Sequence, residues 1–154
     1  MSGLKVVEQF ILELRKVMED PTIKISRDHI MSILYRGDFE VVIKFSPKNY
    51  LMYLFAPIRT VKDLNRTQGL HFMTNCMAAN HLYVSTRGAA LSYSPDENIV
   101  ALNYAHQIMH ADAMELLNTL AAFCDTSVVL RKWSASDAAL KPNGASAIVM
   151  DPLG

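Results

Sequence analysis

Apolar residues recur every three or four positions near the N-terminus: Val6, Val7, Phe10, Ile11, Leu14, Val17 and Met18. Lys5, Glu8, Glu13, Arg15, Lys16 and Glu19 fill the gaps. That spacing gathers the apolar side chains on one stripe of an amphipathic helix, and Pro21 stops it. The pattern then changes to that of strands. Three runs rich in β-branched and aromatic residues, Ile30–Tyr35, Phe39–Phe45 and Tyr50–Phe55, are separated by Arg36-Gly37-Asp38 and by Ser46-Pro47-Lys48-Asn49. Both separators carry turn residues, so the segment predicts a three-stranded antiparallel meander, with Arg-Gly-Asp as a hairpin turn rather than an adhesion tripeptide. In the second run Phe39, Val41, Ile43 and Phe45 alternate with Glu40, Val42 and Lys44, which gives it one wholly apolar face. The first and third runs are apolar on both faces.

A polar connector from Arg59 to Gln68 leads to a second helix carrying Leu70, Phe72, Met73, Cys76, Met77 and Leu82, which fades near Asn80. Gly88 opens a hairpin whose strands, "AALSYS" and "IVALNYA", flank the turn Pro95-Asp96-Glu97-Asn98. Leu116, Leu117, Leu120, Phe123, Cys124 and Val128 then recur at helical spacing, predicting a third helix from Asp112 to Trp133. Asp112 precedes Glu115 by three, the spacing of a capping box. Residues 134–154 turn to Ala, Ser, Pro and Gly with little pattern and are expected to form a mobile tail, a candidate to pair with the sheet or to cover a groove. The order α-β-β-β-α-β-β-α predicts one α+β domain over residues 1–133, a twisted antiparallel sheet flanked by helices.

Composition narrows the class of function. The 154 residues are 51% hydrophobic and 19% charged, a folded rather than a disordered mix, with a formal net charge of zero. No overall field draws the chain to nucleic acid or to anionic lipid. Arg59, Lys62 and Arg66 form at most a solvated basic edge. Cys76 and Cys124 lie far apart in apolar helical patterns, as buried free thiols of a reduced compartment do. No secretory signal is visible, and the longest apolar run, "YLMYLFAPI", is too short to span a bilayer. A cytoplasmic protein without membrane insertion is expected.

"HQIMHAD", His106 to Asp112, raises the possibility of a metal site. An i, i+4 histidine pair shares a direction only on one helix, whereas strand pattern reaches Ala105 and the helix signal starts near His110. The stretch therefore reads as a connector, and a metal-dependent enzyme or sensor using His106, His110 and Asp112 is kept as the alternative. Cys76 is five residues from both His71 and His81, which on a helix turns the side chains roughly 140° apart, so no thiol–imidazole pair forms. The six glycines are isolated, with no phosphate loop, dinucleotide fingerprint or nucleophile elbow among them. Nine methionines are many for this length. Strands apolar on both faces need two covers, so a second subunit or a client polypeptide is expected to take what three helices leave bare.

The arrangement resembles the class I secretion chaperones of Gram-negative type III systems, the Tir-chaperone or CesT-like family, over residues 3 to 133. The likeness is strongest where a helix ends in Ala79-Asn80, a hairpin carries Leu91-Ser92 and Leu102, and Met109, Leu116, Leu117, Leu120, Phe123 and Trp133 follow at the family's spacing. The resemblance implies a homodimer without enzymatic activity or cofactor. Such a protein binds the N-terminal segment of secreted effectors in extended form and delivers it to the export ATPase. It further implies a dimer interface built from Leu70, Met73, Cys76, Met77 and Leu82. Client pockets are expected on the outward apolar residues of the first helix and meander: Val7, Ile11, Met31, Ile33, Met52 and Leu54. The neutral charge departs from the acidic balance of many members. A small-ligand-binding α+β domain is the third reading, to be favoured by a closed cavity within one subunit.

Overall fold

The computed structural model describes residues 3–149. Helix α1 (Gly3–Met18) is followed by the meander β1 (Ile30–Tyr35), β2 (Phe39–Ser46) and β3 (Leu51–Thr60). Then come α2 (Arg66–Ala79), the hairpin β4 (Ala90–Ser94) and β5 (Ile99–Gln107), and the long helix α3 (Ala113–Ser134). The strands form one antiparallel sheet in the order β1-β2-β3-β5-β4. The predicted α-β-β-β-α-β-β-α order is the order observed.

Pairing explains which side chains face inward. In β1 and β2, Met31 lies opposite Ile43 and Ile33 opposite Val41; in β2 and β3, Phe45 lies opposite Met52 and Ile43 opposite Leu54. Residues paired across an antiparallel ladder share a face, so the wholly apolar face of β2 carries its partners inward with it. Helices α1 and α3 cover that face. Val6, Val7, Phe10, Ile11 and Leu14 form the buried stripe of α1, and the Phe10 ring meets Phe45 edge-on at 5.7 Å between centroids. Burying a phenylalanine this fully is worth about 1.5–3 kcal/mol. At the other end, Arg131 of α3 stacks over Phe39 at 4.6 Å and donates to the Pro57 carbonyl at 2.7 Å. The Tyr35 hydroxyl reaches Asp125 at 3.0 Å. Although α3 is long and apolar enough to cross a membrane, its stripe of Leu116, Leu120, Phe123, Cys124 and Leu130 is buried in the core.

The helix starts are set by caps. Asp112 accepts from the Glu115 backbone N–H at 2.8 Å. At α2, Asn65 accepts from the Gln68 N–H, and the Gln68 side chain accepts in return from the Asn65 N–H, so two otherwise unpaired donors are satisfied reciprocally. That box starts α2 at Arg66, within the stretch expected to be connector. Strand β3 also runs past Phe55 to Thr60, tolerating Pro57 at a bulge, where a missing N–H breaks no regular ladder.

The stretch expected to be a mobile tail is different. Ser134 closes α3, and residues 135–149 fold back over α2 as two short 3-10 turns, Asp137–Leu140 and Gly144–Ala147. Ala139 and Gly144 are buried there. The physical reason is polar as well as apolar: Ala139 joins the core, and Leu140 and Ile148 pack against it. The buried Asn75 amide donates to the carbonyls of Ala139 and Lys141 at 2.9 and 2.8 Å, and the Trp133 indole donates to that of Gly144 at 2.9 Å. Residues 150–154 lie outside the described residues.

Candidate client and assembly surfaces

Among the described residues, two surfaces of the fold have no cover. The first is the face of the sheet turned away from α1 and α3. Ile30, Ser32 and Leu34 of β1, Val42 of β2 between the exposed Glu40 and Lys44, and Tyr53 and Phe55 of β3 lie on it, with Ala101 and Asn103 of β5 opposite Pro57 and Phe55. Leu34 is 59% exposed and Val42 and Phe55 are half-buried. On its β1 side this face runs into a groove of about 590 Å³ between the segment 22–26 and strands β1 and β2. Among the described residues β1 pairs in the sheet with β2 alone; Ser26 takes the edge N–H and C=O of Ile30, and the edge beyond it is open beside the groove.

The six residues expected to point outward as client pockets point the other way. Val7, Ile11, Met31, Ile33, Met52 and Leu54 are exposed by 4, 8, 3, 5, 0 and 1% and belong to the core. The side-chain period of a strand is two, so a register set one residue off exchanges the faces completely. The outward set of the meander is the neighbouring one: Ile30, Ser32 and Leu34 in place of Met31 and Ile33, and Tyr53 and Phe55 in place of Met52 and Leu54. The signal was present in the chain. Tyr35 pairs with Phe39 across Arg36-Gly37-Asp38, a hairpin turn as expected, so β1 inherits the parity of β2. On α1, Leu4, Leu12 and Val17 are the exposed apolar residues.

The second surface is α2 and the turn after it. Leu70, Met77 and Leu82 are 65, 75 and 75% exposed. Met73 and Cys76 sit lower, lining an apolar groove of about 200 Å³ between α2 and β4. The five residues expected at a dimer interface thus occupy one flank of α2 and its continuation, which Tyr83 and Val84 extend with 55 and 73% exposure. Tyr83 and Val84 went unnamed in the sequence because helix period ends before them. Leu82 and Tyr83 hold left-handed φ values of 55°. Asn80 ties this end of α2 to the sheet: its side chain donates to the Leu91 carbonyl at 2.9 Å and accepts from the Leu91 N–H at 2.8 Å, as a neighbouring strand would. Burial pushes the Cys76 thiol up to about 12, and that of Cys124 likewise, so both are neutral packing groups.

"HQIMHAD" carries no ligand set. His106 is the penultimate residue of β5, its Nε2 3.0 Å from the Glu115 carboxylate, while Asp112 is engaged as the cap of α3. His110 stands in a turn with φ 66°. Glu115 therefore contacts His106 in place of closing the capping box. Ile108, 1% exposed, is the buried anchor of the connector, and Met109, expected in the apolar slot, is 45% exposed. Among the described residues no three His, Cys, Asp or Glu side chains cluster as metal ligands. Between the 86–89 loop, β5 and α3 lies a pocket of about 160 Å³ bordered by Thr86, Tyr104 and Phe123. That is below the roughly 300–1,000 Å³ of small-molecule sites, so this pocket does not support a ligand-binding domain.

An α+β sheet covered on one face, with a second face where Leu34, Val42, Tyr53 and Phe55 are interleaved with Ser32, Glu40 and Lys44, and with an apolar helix flank, leaves surfaces suited to holding polypeptide. The Tir chaperone protein (CesT) family matches residues 9–131, and the chain belongs to that family. No curated protein matches it in sequence. Among solved structures, the fold is similar to one in the ExsC–ExsE complex, with a TM-score of 0.72 and 14% identity over 86% of this chain and 96% of that one. It is similar as well to one in the HopA1–SchA chaperone–effector complex (TM-score 0.64, 11% identity, 86% and 97% covered). A third likeness is to the complex of the Yersinia pestis type III secretion chaperone SycH with a fragment of YscM2 (TM-score 0.53, 12% identity, 79% and 96% covered).

Proposed function

We propose that the chain is a cytoplasmic type III secretion chaperone that acts as a homodimer and does no chemistry of its own. It binds the N-terminal segment of one or more effectors in extended form and presents it to the export ATPase. Family membership supports the chaperone role and its effector clients. The observation that carries the binding mode is the bare sheet face running into the groove beside the part of the β1 edge that Ser26 leaves open. An extended client added along β1 finds backbone hydrogen bonds at the edge and sets alternate side chains against Leu34, and where it continues across the bare face it meets Val42 and Phe55. The exposed flank of α2 is left for the second subunit. The metal-dependent alternative has no support in the site geometry.

Co-expression of the chain with effector N-terminal fragments from the same bacterium tests this reading. A stable complex is expected, in which the amides of β1 become protected from hydrogen exchange and the fragment is protease-sensitive when free. If the chain retains no effector fragment, or if protection falls elsewhere than β1 and the bare sheet face, the reading is wrong.

A further inference from the structure

We infer that residues 135–149 are a brace that holds α2 in the orientation its dimer flank requires, with Asn75 as the positioning residue. The inference rests on the α2 dimer reading above. The family match ends at residue 131, so the brace is an addition carried by this chain beyond the matched domain.

Helix α2 rests on the core through Phe72, Cys76 and Ala79 and on the brace along its other flank. Its buried residues are Phe72, Asn75, Cys76 and Ala79, and the two 3-10 turns of the brace touch it more extensively than β4 does. Phe72 stacks on Trp133 at 5.8 Å, and the Trp133 indole is itself bonded to Gly144 of the brace. Asn75 is 2% exposed and spends its amide on two brace carbonyls; with the brace displaced, that flank of α2 and its buried amide open to water. The brace thus closes one flank of α2, and Leu70, Met77 and Leu82 remain on the open one. Gly144 is where the brace comes closest. A Cβ there would overlap the Ala138 carbonyl and lie 2.7 Å from the Asn75 amide nitrogen.

Two full-length variants test the brace, Gly144→Ala and Asn75→Ala, and the chain's single tryptophan, Trp133, reports on it directly. In both, Trp133 emission is expected to shift to the red as the indole loses its cover, with far-UV circular dichroism retained. The dimer Kd, from sedimentation equilibrium, is expected to rise by about tenfold or more, the factor that about 1.4 kcal/mol represents. A red shift with an unchanged Kd overturns the positioning role. Unchanged emission in Gly144→Ala overturns the brace itself, and so does global unfolding of both variants, because a contact local to α2 leaves the sheet standing. A wild-type chain that stays monomeric at every concentration overturns the dimer reading and this inference with it. A dimeric wild type whose variants dimerise equally well overturns only this inference.

Discussion

Met77 and Met52 are the same residue type with opposite expected behaviour, and replacing each separates assembly from folding. Met77 is 75% exposed on α2, whereas Met52 is 0% exposed beneath α1 and α3. Fully burying a methionine is worth about 1.5–3 kcal/mol, so covering the exposed three quarters of Met77 against a second subunit contributes roughly 1–2 kcal/mol. A two-fold interface uses the residue twice, giving roughly 2–4 kcal/mol, or about 30- to 1,000-fold in Kd. Met77→Glu removes that contribution and sets a carboxylate at each copy of the site, so the upper part of the range is expected. The monomer's thermal midpoint stays nearly unchanged, since the side chain leaves no cavity. Met52→Ala opens a cavity in the core and is expected to cost about 2–5 kcal/mol of folding stability. Sedimentation equilibrium over a wide concentration range reads the first, and urea unfolding of the separated monomer reads the second. A Met77→Glu chain that dimerises like wild type, or that unfolds as readily as Met52→Ala, refutes the assignment of this flank to the interface.

Phe55→Asp, on the bare sheet face, is expected to weaken effector capture about tenfold or more while leaving dimerisation intact; isothermal titration with an effector N-terminal fragment checks it, and unchanged affinity moves the client elsewhere. Asp112→Ala removes the α3 cap and is expected to cost about 1 kcal/mol, read from the urea midpoint. Burial holds the Cys76 and Cys124 thiols up at about 12. A folded value raised above the unfolded one of about 8.5 gives stability that is full below the unfolded value and is lost as pH rises toward the folded one. The unfolding midpoint is therefore expected to fall progressively above about pH 9, and iodoacetamide at pH 8 is expected to label neither thiol until the chain is denatured.

The period of the apolar residues carried most of the architecture. Element order, the alternation of β2 and the Asp112 cap of α3 follow from interactions between residues a few positions apart, which a chain displays directly. Three features did not follow. The inward face of β1 and β3 depended on pairing with β2, because a strand apolar on both sides carries no preference of its own; the strand residues expected to point outward were one position off for that reason. The start of α2 was readable in Asn65 and Gln68 but was masked by a polar connector. The docking of 135–149 was out of reach, since it rests on an amide and an indole that meet backbone carbonyls brought near only by the fold.

"HQIMHAD" marks the same division. From the chain alone, the break between strand and helix near residue 110 already denied the two histidines a common direction. That His106 would instead meet Glu115 across the connector, and that Ile108 rather than Met109 would be its buried anchor, was decided by the sheet and α3 together. Local pattern determines which elements form, because it is written in neighbouring residues. Which apolar faces are left for partners is settled only when those elements pack, since burial belongs to pairs of surfaces and not to single strands.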